Sequence, residues 1–202
     1  LICGKEAFTP FMNQPAAQCL WWPRFESIAG WFIRQEQAQR RNIGELLAEV
    51  EGVWQFEVGG KPFSLTTRID RLESLKDRTI AIIDYKTGSV PGNPEFKLGL
   101  GNQLYIEALI AQHGDLLPKP LNAGKAPSRL EYWKLAATKH DCEIVELSTS
   151  EDVLSARAAS LFDIIAAFYD ENQPYRAQDN PRLLLKYNDY EHLTRRAEWE
   201  TV

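Results

Sequence analysis

An α/β fold, with an antiparallel three-strand meander at its centre and helices flanking it, follows from three features of this sequence. Strand-like runs at 47–58, 62–73 and 79–85 succeed one another with only Gly59-Gly60 and the short polar stretch 74–79 between them, which are connections of hairpin length. Apolar residues recur at helical spacing before and after that block, over 23–41, 99–112 and 149–172. At 202 residues and 44% hydrophobic content the chain can bury one sizeable core, and disorder is not expected.

Taken in order, residues 1–20, with Pro10 and Pro15, read as an irregular arm or linker. Pro23 suits a first helical turn, and Phe25, Ile28, Ala29, Phe32 and Ile33 mark the core face of a helix running to about residue 41. Trp21, Trp22 and Trp31 are expected to pack there rather than to stack on bases. The strand 47–58 leads through Gly59-Gly60 to the strand 62–73, which carries Asp70, and 79–85 carries Asp84. The loop from Thr87 to Pro94 is rich in Gly and Pro and suits bending around a substrate backbone.

The helix 99–112, closed by Gly114, is apolar enough to pack on the sheet and so to fix Gln103 and Glu107. A second loop over 117–128 precedes strands at 129–135 and 143–147. Ser148 or Thr149 caps the last long helix, with Glu151 and Asp152 in its first turn. Leu154, Ala158, Leu161, Ile164, Ile165 and Phe168 form its apolar stripe. Beyond Pro174 the chain is polar with many aromatics, and 187–199 reads as an extended piece and a short amphipathic helix. The organisation is thus an arm (1–20), one domain (21–175) and a tail (176–202).

Asp70, Asp84 and Lys86 carry the chemistry. Asp84 and Lys86 are two apart on a strand and leave one face, while Ile83 and Tyr85 leave the other. If the second and third strands are neighbours, Asp70 joins them. Two carboxylates suit a hard cation such as Mg²⁺ or Mn²⁺, and a lysine beside it can orient a water or stabilise charge growing on a phosphorane-like transition state. A buried ion pair or a solvated rim is the plainer reading of D-x-K alone.

The longer context narrows the choice. Arg68-Ile69-Asp70-Arg71, a hairpin, Ile83-Asp84-Tyr85-Lys86-Thr87-Gly88 and a helix opened by Gln103-Leu104 resemble the PD-(D/E)XK nuclease superfamily, and within it the RecB-type nuclease domain. Thr67 stands where that pattern has glycine. Trp22-Pro23-Arg24-Phe25, the run Gln103 to Leu109 and the stretch Tyr190 to Trp199 look most like the C-terminal nuclease domains of AddB subunits, over roughly residues 20–199. The resemblance implies a restriction-endonuclease-like core with a central mixed sheet, with the tail packed on the domain or on a partner.

It further implies that Asp70 and Asp84 bind Mg²⁺ or Mn²⁺, with the carbonyl of Tyr85 as an added ligand, that Lys86 is the catalytic lysine, and that Gln103 sits near the metal or the DNA. The activity implied is metal-dependent cleavage of DNA, on a single strand from unwound duplex. The implied partner is an AddA-like helicase-nuclease subunit, in double-strand-break resection. No G-x-x-x-x-G-K-[ST] occurs, so this chain is not the motor.

Two departures bear on that expectation. Glu107 stands where a tyrosine is usual, four residues after Gln103 and on the same helical face; it either points into the site or is a surface carboxylate. The family's upstream histidine or glutamate has no histidine counterpart before His113, which leaves Glu45, Glu49 and Glu51, of which Glu51 is best placed. The start at Leu1-Ile2-Cys3 without methionine reads as a domain excised from a longer chain. A nuclease-like scaffold that binds DNA without cutting it is the alternative, and a phosphohydrolase of small substrates with a closed pocket is a third reading.

Other classes fare worse. A net charge of −5 argues against a surface that attracts nucleic acid all over, although Arg34, Arg40 and Arg41, or Lys186, Arg195 and Arg196, can form local phosphate contacts. Cys3, Cys19 and Cys142 are too few for the four-thiolate iron-sulfur cluster of some relatives, and their scatter fits a reducing compartment. His113, His140 and His192 lack zinc-site spacing. No apolar run is long enough to cross a membrane and no leader is visible, so a cytoplasmic location is expected.

Overall fold

The computed structural model describes residues 2–92, 101–136 and 142–174. The expected tail helix at 187–199 and the end of the 87–94 loop lie outside them. The chain divides into two compact units, 1–160 and 161–202. The first holds a six-stranded sheet ordered β4-β1-β2-β3-β5-β6. Its strands are β1 (Ile43–Val58), β2 (Lys61–Leu75), β3 (Ile80–Lys86), β4 (Asp115–Leu117), β5 (Pro127–Lys134) and β6 (Glu143–Leu147). The helices are α1 (Ile2–Phe8), α2 (Trp22–Gln39), α3 (Gln103–His113) and α4 (Glu151–Phe168). Of the second unit the described part is the end of α4 and the turn after it.

The meander forms as expected. β1 and β2 pair antiparallel from Val58↔Lys61 back to Ile43↔Leu75, around Gly59 and Gly60 with φ of 58° and 76°, the left-handed pair that a two-residue hairpin turn requires. The turn into β3 is held by Asp77, whose Oδ1 accepts Thr79 N at 2.9 Å and Thr79 Oγ1 at 2.6 Å; these bonds lower its carboxyl below the usual range. β5 then joins β3 in parallel, which makes the sheet mixed. Gly52 shows why one position needs glycine: a Cβ there would lie 2.8 Å from Ile110 and 3.1 Å from the methyl of its cross-strand partner Thr67.

α3 packs on one face of the sheet, burying Leu104, Ala108, Ile110 and Ala111 against Val50, Leu72, Ile82 and Leu130. Full burial of such a side chain stabilises the fold by about 1.5–3 kcal/mol. α2 covers the other face, where Trp31 and Phe32 meet Trp133 at 5.5 and 5.6 Å between ring centres. Trp22 packs on Phe8 and Phe25. Three expectations need correction. Residues 2–8 are helical rather than irregular, because both prolines fall after that turn. Trp21, just before α2, Ile33 on α2, and Ile164 and Phe168 on α4 are exposed rather than packed. β4, three residues directly after Gly114, is too short for any periodicity to announce it.

Candidate active site

The backbone ladder between β2 and β3 runs from Ser74↔Ile80 to Arg71↔Ile83 and ends there. The next residue on each strand is a carboxylate, Asp70 on β2 and Asp84 on β3. Asp70 Oδ2 accepts the backbone N–H of Tyr85 at 3.1 Å, so one of its oxygens is fixed by the neighbouring strand. Asp84 is buried, and its Oδ1 accepts Lys86 Nζ at 2.9 Å and Gln103 Nε2 at 2.6 Å. Asp84 Oδ2 lies 2.8 Å from the same ammonium but takes no directed hydrogen bond.

Gln103, in the first turn of α3, ties the cluster together. Its Oε1 accepts Lys86 Nζ at 2.8 Å while its Nε2 also donates to Glu107 Oε1 at 3.0 Å. Lys86 Nζ sits 5.6 Å from the centre of the Tyr132 ring, a cation–π contact within the usual range; burial pushes the Tyr132 hydroxyl up to about 12, so it stays neutral. Glu107 is buried and points into this group. Burial, then the negative charges of Asp84 and Asp70, push its carboxyl up to about 7, against the opposing bond from Gln103 and charge of Lys86. Its Oε2 is buried without a hydrogen-bond partner.

This donor set fits a hard cation. Mg²⁺ is held by one or two carboxylates and keeps waters for the remaining positions, which Asp70 and Asp84 suffice to provide. Glu107 Oε2, buried and without a hydrogen-bond partner, is the oxygen that a nearby positive charge would satisfy, whereas Asp84 Oδ2 already has the Lys86 ammonium beside it. Among the described residues no three His, Cys, Asp or Glu side chains close into a ready-made metal cage, so water would complete the coordination.

Asp70, Asp84, Lys86 and Gln103 therefore come together, and Glu107, left open by spacing alone, joins them. The side chain of Tyr85 belongs to the opposite face, where its hydroxyl meets Arg71 at 3.1 Å; only its backbone carbonyl is available as a ligand. The three upstream candidates make no bond to this cluster. Glu45 accepts Leu121 N at 2.8 Å, Glu49 pairs with Arg68 at 2.8 Å, and Glu51 is exposed beside Arg68, Asp115 and Leu117. The upstream glutamate that reaches the strands is Glu36 of α2, bonded to Arg71 on the far face.

With α helices on both faces of a mixed sheet and an Asp…Asp-x-Lys group at the edge of its central ladder, the class is that of the α/β nuclease domains. The match to the PD-(D/E)XK nuclease superfamily extends over residues 6–183, and this chain belongs to that superfamily; the six-stranded sheet is its restriction-endonuclease-like α/β fold. An uncharacterized protein of Rickettsia conorii is 30% identical over 87% of this chain, and one of Rickettsia felis 26% identical over the same share. The chain spans only 23% and 24% of those two relatives. The crystal structure of SSO0001 is similar at 16% identity and a TM-score of 0.37, covering 79% of this chain and 70% of that one.

Proposed function

We propose that this chain is a metal-dependent deoxyribonuclease domain that hydrolyses phosphodiester bonds at Asp70, Asp84, Lys86 and Gln103. The observation that carries this reading is an ammonium fixed between Asp84 and Gln103 beside Asp70 and a buried Glu107 oxygen that lacks a donor. Asp70 and Asp84, with the Tyr85 carbonyl, would hold Mg²⁺ or Mn²⁺. Bound there, the cation would polarise a phosphoryl oxygen and lower the pKa of a water.

The residues of the chain do the rest. Lys86 carries three N–H donors, of which Asp84 and Gln103 take two; the third is left to orient an attacking water or to meet charge developing on phosphate. Gln103 stops the ammonium from swinging away, because its own amide is anchored at both ends, on Lys86 and on Asp84 and Glu107. Glu107 fixes the Gln103 rotamer.

The finer reading follows the AddB-like segments in the sequence: a domain of a longer protein that cuts a single strand unwound by an AddA-like helicase-nuclease subunit, in cytoplasmic double-strand-break resection and recombinational repair. Relatives roughly four times as long as the matched region agree with a domain inside a larger machine. The additional carboxylate at Glu107 favours the scaffold alternative only if the site has lost its metal, and without a cation so acidic a cluster repels DNA phosphate.

Single-strand cleavage by the full-length protein with its helicase partner, with and without Mg²⁺ or Mn²⁺, tests the reading beside Lys86→Ala. Metal-dependent cleavage lost in the variant is expected. Single-strand binding without cleavage by the wild type would establish the scaffold instead, and cleavage that survives Lys86→Ala would dismiss the site.

A further inference from the structure

The two carboxylates at the heart of the site sit one residue past the end of the backbone ladder between β2 and β3, joined there by the bond from Tyr85 N–H to Asp70 Oδ2. β2 and β3 are hydrogen-bonded only as far as Arg71↔Ile83; from Asp70 and Asp84 onward β2 continues with β1 and β3 with β5. Strands that part at this point are free to splay, and a cation held between their two carboxylates is sensitive to how far they do.

On the opposite face a side-chain clip spans the same gap. Arg71 follows Asp70 and Tyr85 follows Asp84, so both project away from the site. Arg71 is 3% exposed. Its Nε donates to Glu73 Oε1 at 2.8 Å and its Nη2 also bonds that oxygen, which anchors one side of the fork within β2. Its Nη1 crosses to β3, donating to the Tyr85 hydroxyl at 3.1 Å, and also bonds Glu36 on α2. The ring of Trp133 lies 5.2 Å from the guanidinium and 5.9 Å from the ring of Tyr85, closing the group from below. Tyr85 then links the two faces: its hydroxyl holds Arg71, while its backbone N–H holds Asp70 Oδ2 at 3.1 Å.

We propose that Glu36, Arg71 and the Tyr85 hydroxyl are positioning residues, a clip that sets the spacing of Asp70 and Asp84 from the face remote from the chemistry. The proposal rests on the nuclease reading for the use made of that spacing. It assigns the upstream helix a role in the site without contact with metal or DNA, and it gives a reason for a buried arginine directly after the first carboxylate. Partners that orient metal ligands from behind commonly change metal affinity by about 10- to 100-fold when removed.

The test uses the full-length protein and three variants, Tyr85→Phe, Glu36→Ala and Glu36→Gln. Tyr85→Phe removes one hydroxyl and keeps the ring, so the fold survives. Mn²⁺ affinity is read by calorimetry, cleavage against Mn²⁺ concentration by gel, and amide hydrogen exchange at residue 85 against residue 82 by mass spectrometry or NMR. The clip predicts about 10-fold weaker Mn²⁺ binding in Tyr85→Phe and Glu36→Ala, with Glu36→Gln restoring much of it because an acceptor oxygen remains for Arg71. It predicts faster exchange at the residue-85 amide with residue 82 unchanged, and, in Glu36→Ala, near wild-type cleavage at saturating Mn²⁺. Unchanged Mn²⁺ affinity and unchanged residue-85 exchange in both Tyr85→Phe and Glu36→Ala would overturn the clip. A wild type that binds Mn²⁺ but cuts no DNA would overturn the nuclease reading and leave the clip standing, whereas a wild type that binds no Mn²⁺ would overturn both.

Discussion

The two faces of the sheet at β2 and β3 both bury carboxylates, and they neutralise them differently. On the α2 side Glu73 is wholly buried, but its Oε1 is held by Arg71 and its Oε2 by Arg129 at 2.7 Å. Glu131 there receives the Trp133 indole at 2.8 Å and lies 3.5 Å from Arg129. On the α3 side one ammonium serves Asp84 among three carboxylates, and Asp84 Oδ2 and Glu107 Oε2 take no hydrogen bond. A buried carboxylate without partners costs several kcal/mol. On the α2 face the two buried carboxylates meet guanidinium groups of the chain, whereas on the α3 face Glu107 has no cation bonded to it.

That contrast predicts different responses to substitution. The largest effect belongs to the α2 face: Arg71→Met leaves Glu73 and Glu36 short of a partner and is expected to cost about 3–5 kcal/mol of stability in urea unfolding. A loss under about 1 kcal/mol would mean that the network is not one buried unit. On the α3 face the main loss is in rate. Lys86→Ala should slow metal-dependent cleavage by about 100- to 1,000-fold, and single-turnover rates at saturating metal read it directly.

Glu107 sharpens the comparison through pH. Its folded carboxyl titrates at about 7, above the unfolded value of about 4.3, so between these pH values the folded state keeps a proton that the unfolded chain has lost. Metal-free stability should therefore fall as pH rises through that window, by at most about 4 kcal/mol, and level off above it. Glu107→Gln should flatten the slope. An unchanged pH dependence of the urea midpoint in that variant would remove Glu107 as its source. The smallest effect is expected at the half-exposed pair Lys134–Glu143, 2.7 Å apart, on the strand beside Lys86: Lys134→Ala should cost less than about 1 kcal/mol in urea unfolding.

Asp70, Asp84 and Lys86 were legible in the sequence because their grouping needs only local rules, a period of two on strands and a hairpin that makes β2 and β3 neighbours, whereas Gln103 entered through the family resemblance. The same rules put Gln103 and Glu107 on one helical face but did not say which way that face turns, since orientation depends on the packing of α3 against Leu72, Ile82 and Leu130. The Arg71 network was out of reach for a different reason. Its partners Glu36 and Tyr85 lie 35 and 14 residues away, and Arg129 reaches Glu73 across 56, so nothing local in the sequence distinguishes these charges from a solvated rim. Tertiary pairing decided which polar residues were buried, and with it which face became the site.

Crystals of the protein soaked in Mn²⁺ and measured at the manganese absorption edge test the central claim most directly. The account predicts an anomalous peak on the α3 face between Asp70 and Asp84, bonded to an oxygen of each, with none beside Glu73 and Glu131 on the α2 face. No peak at the aspartate pair, or a peak on the α2 face instead, would contradict it.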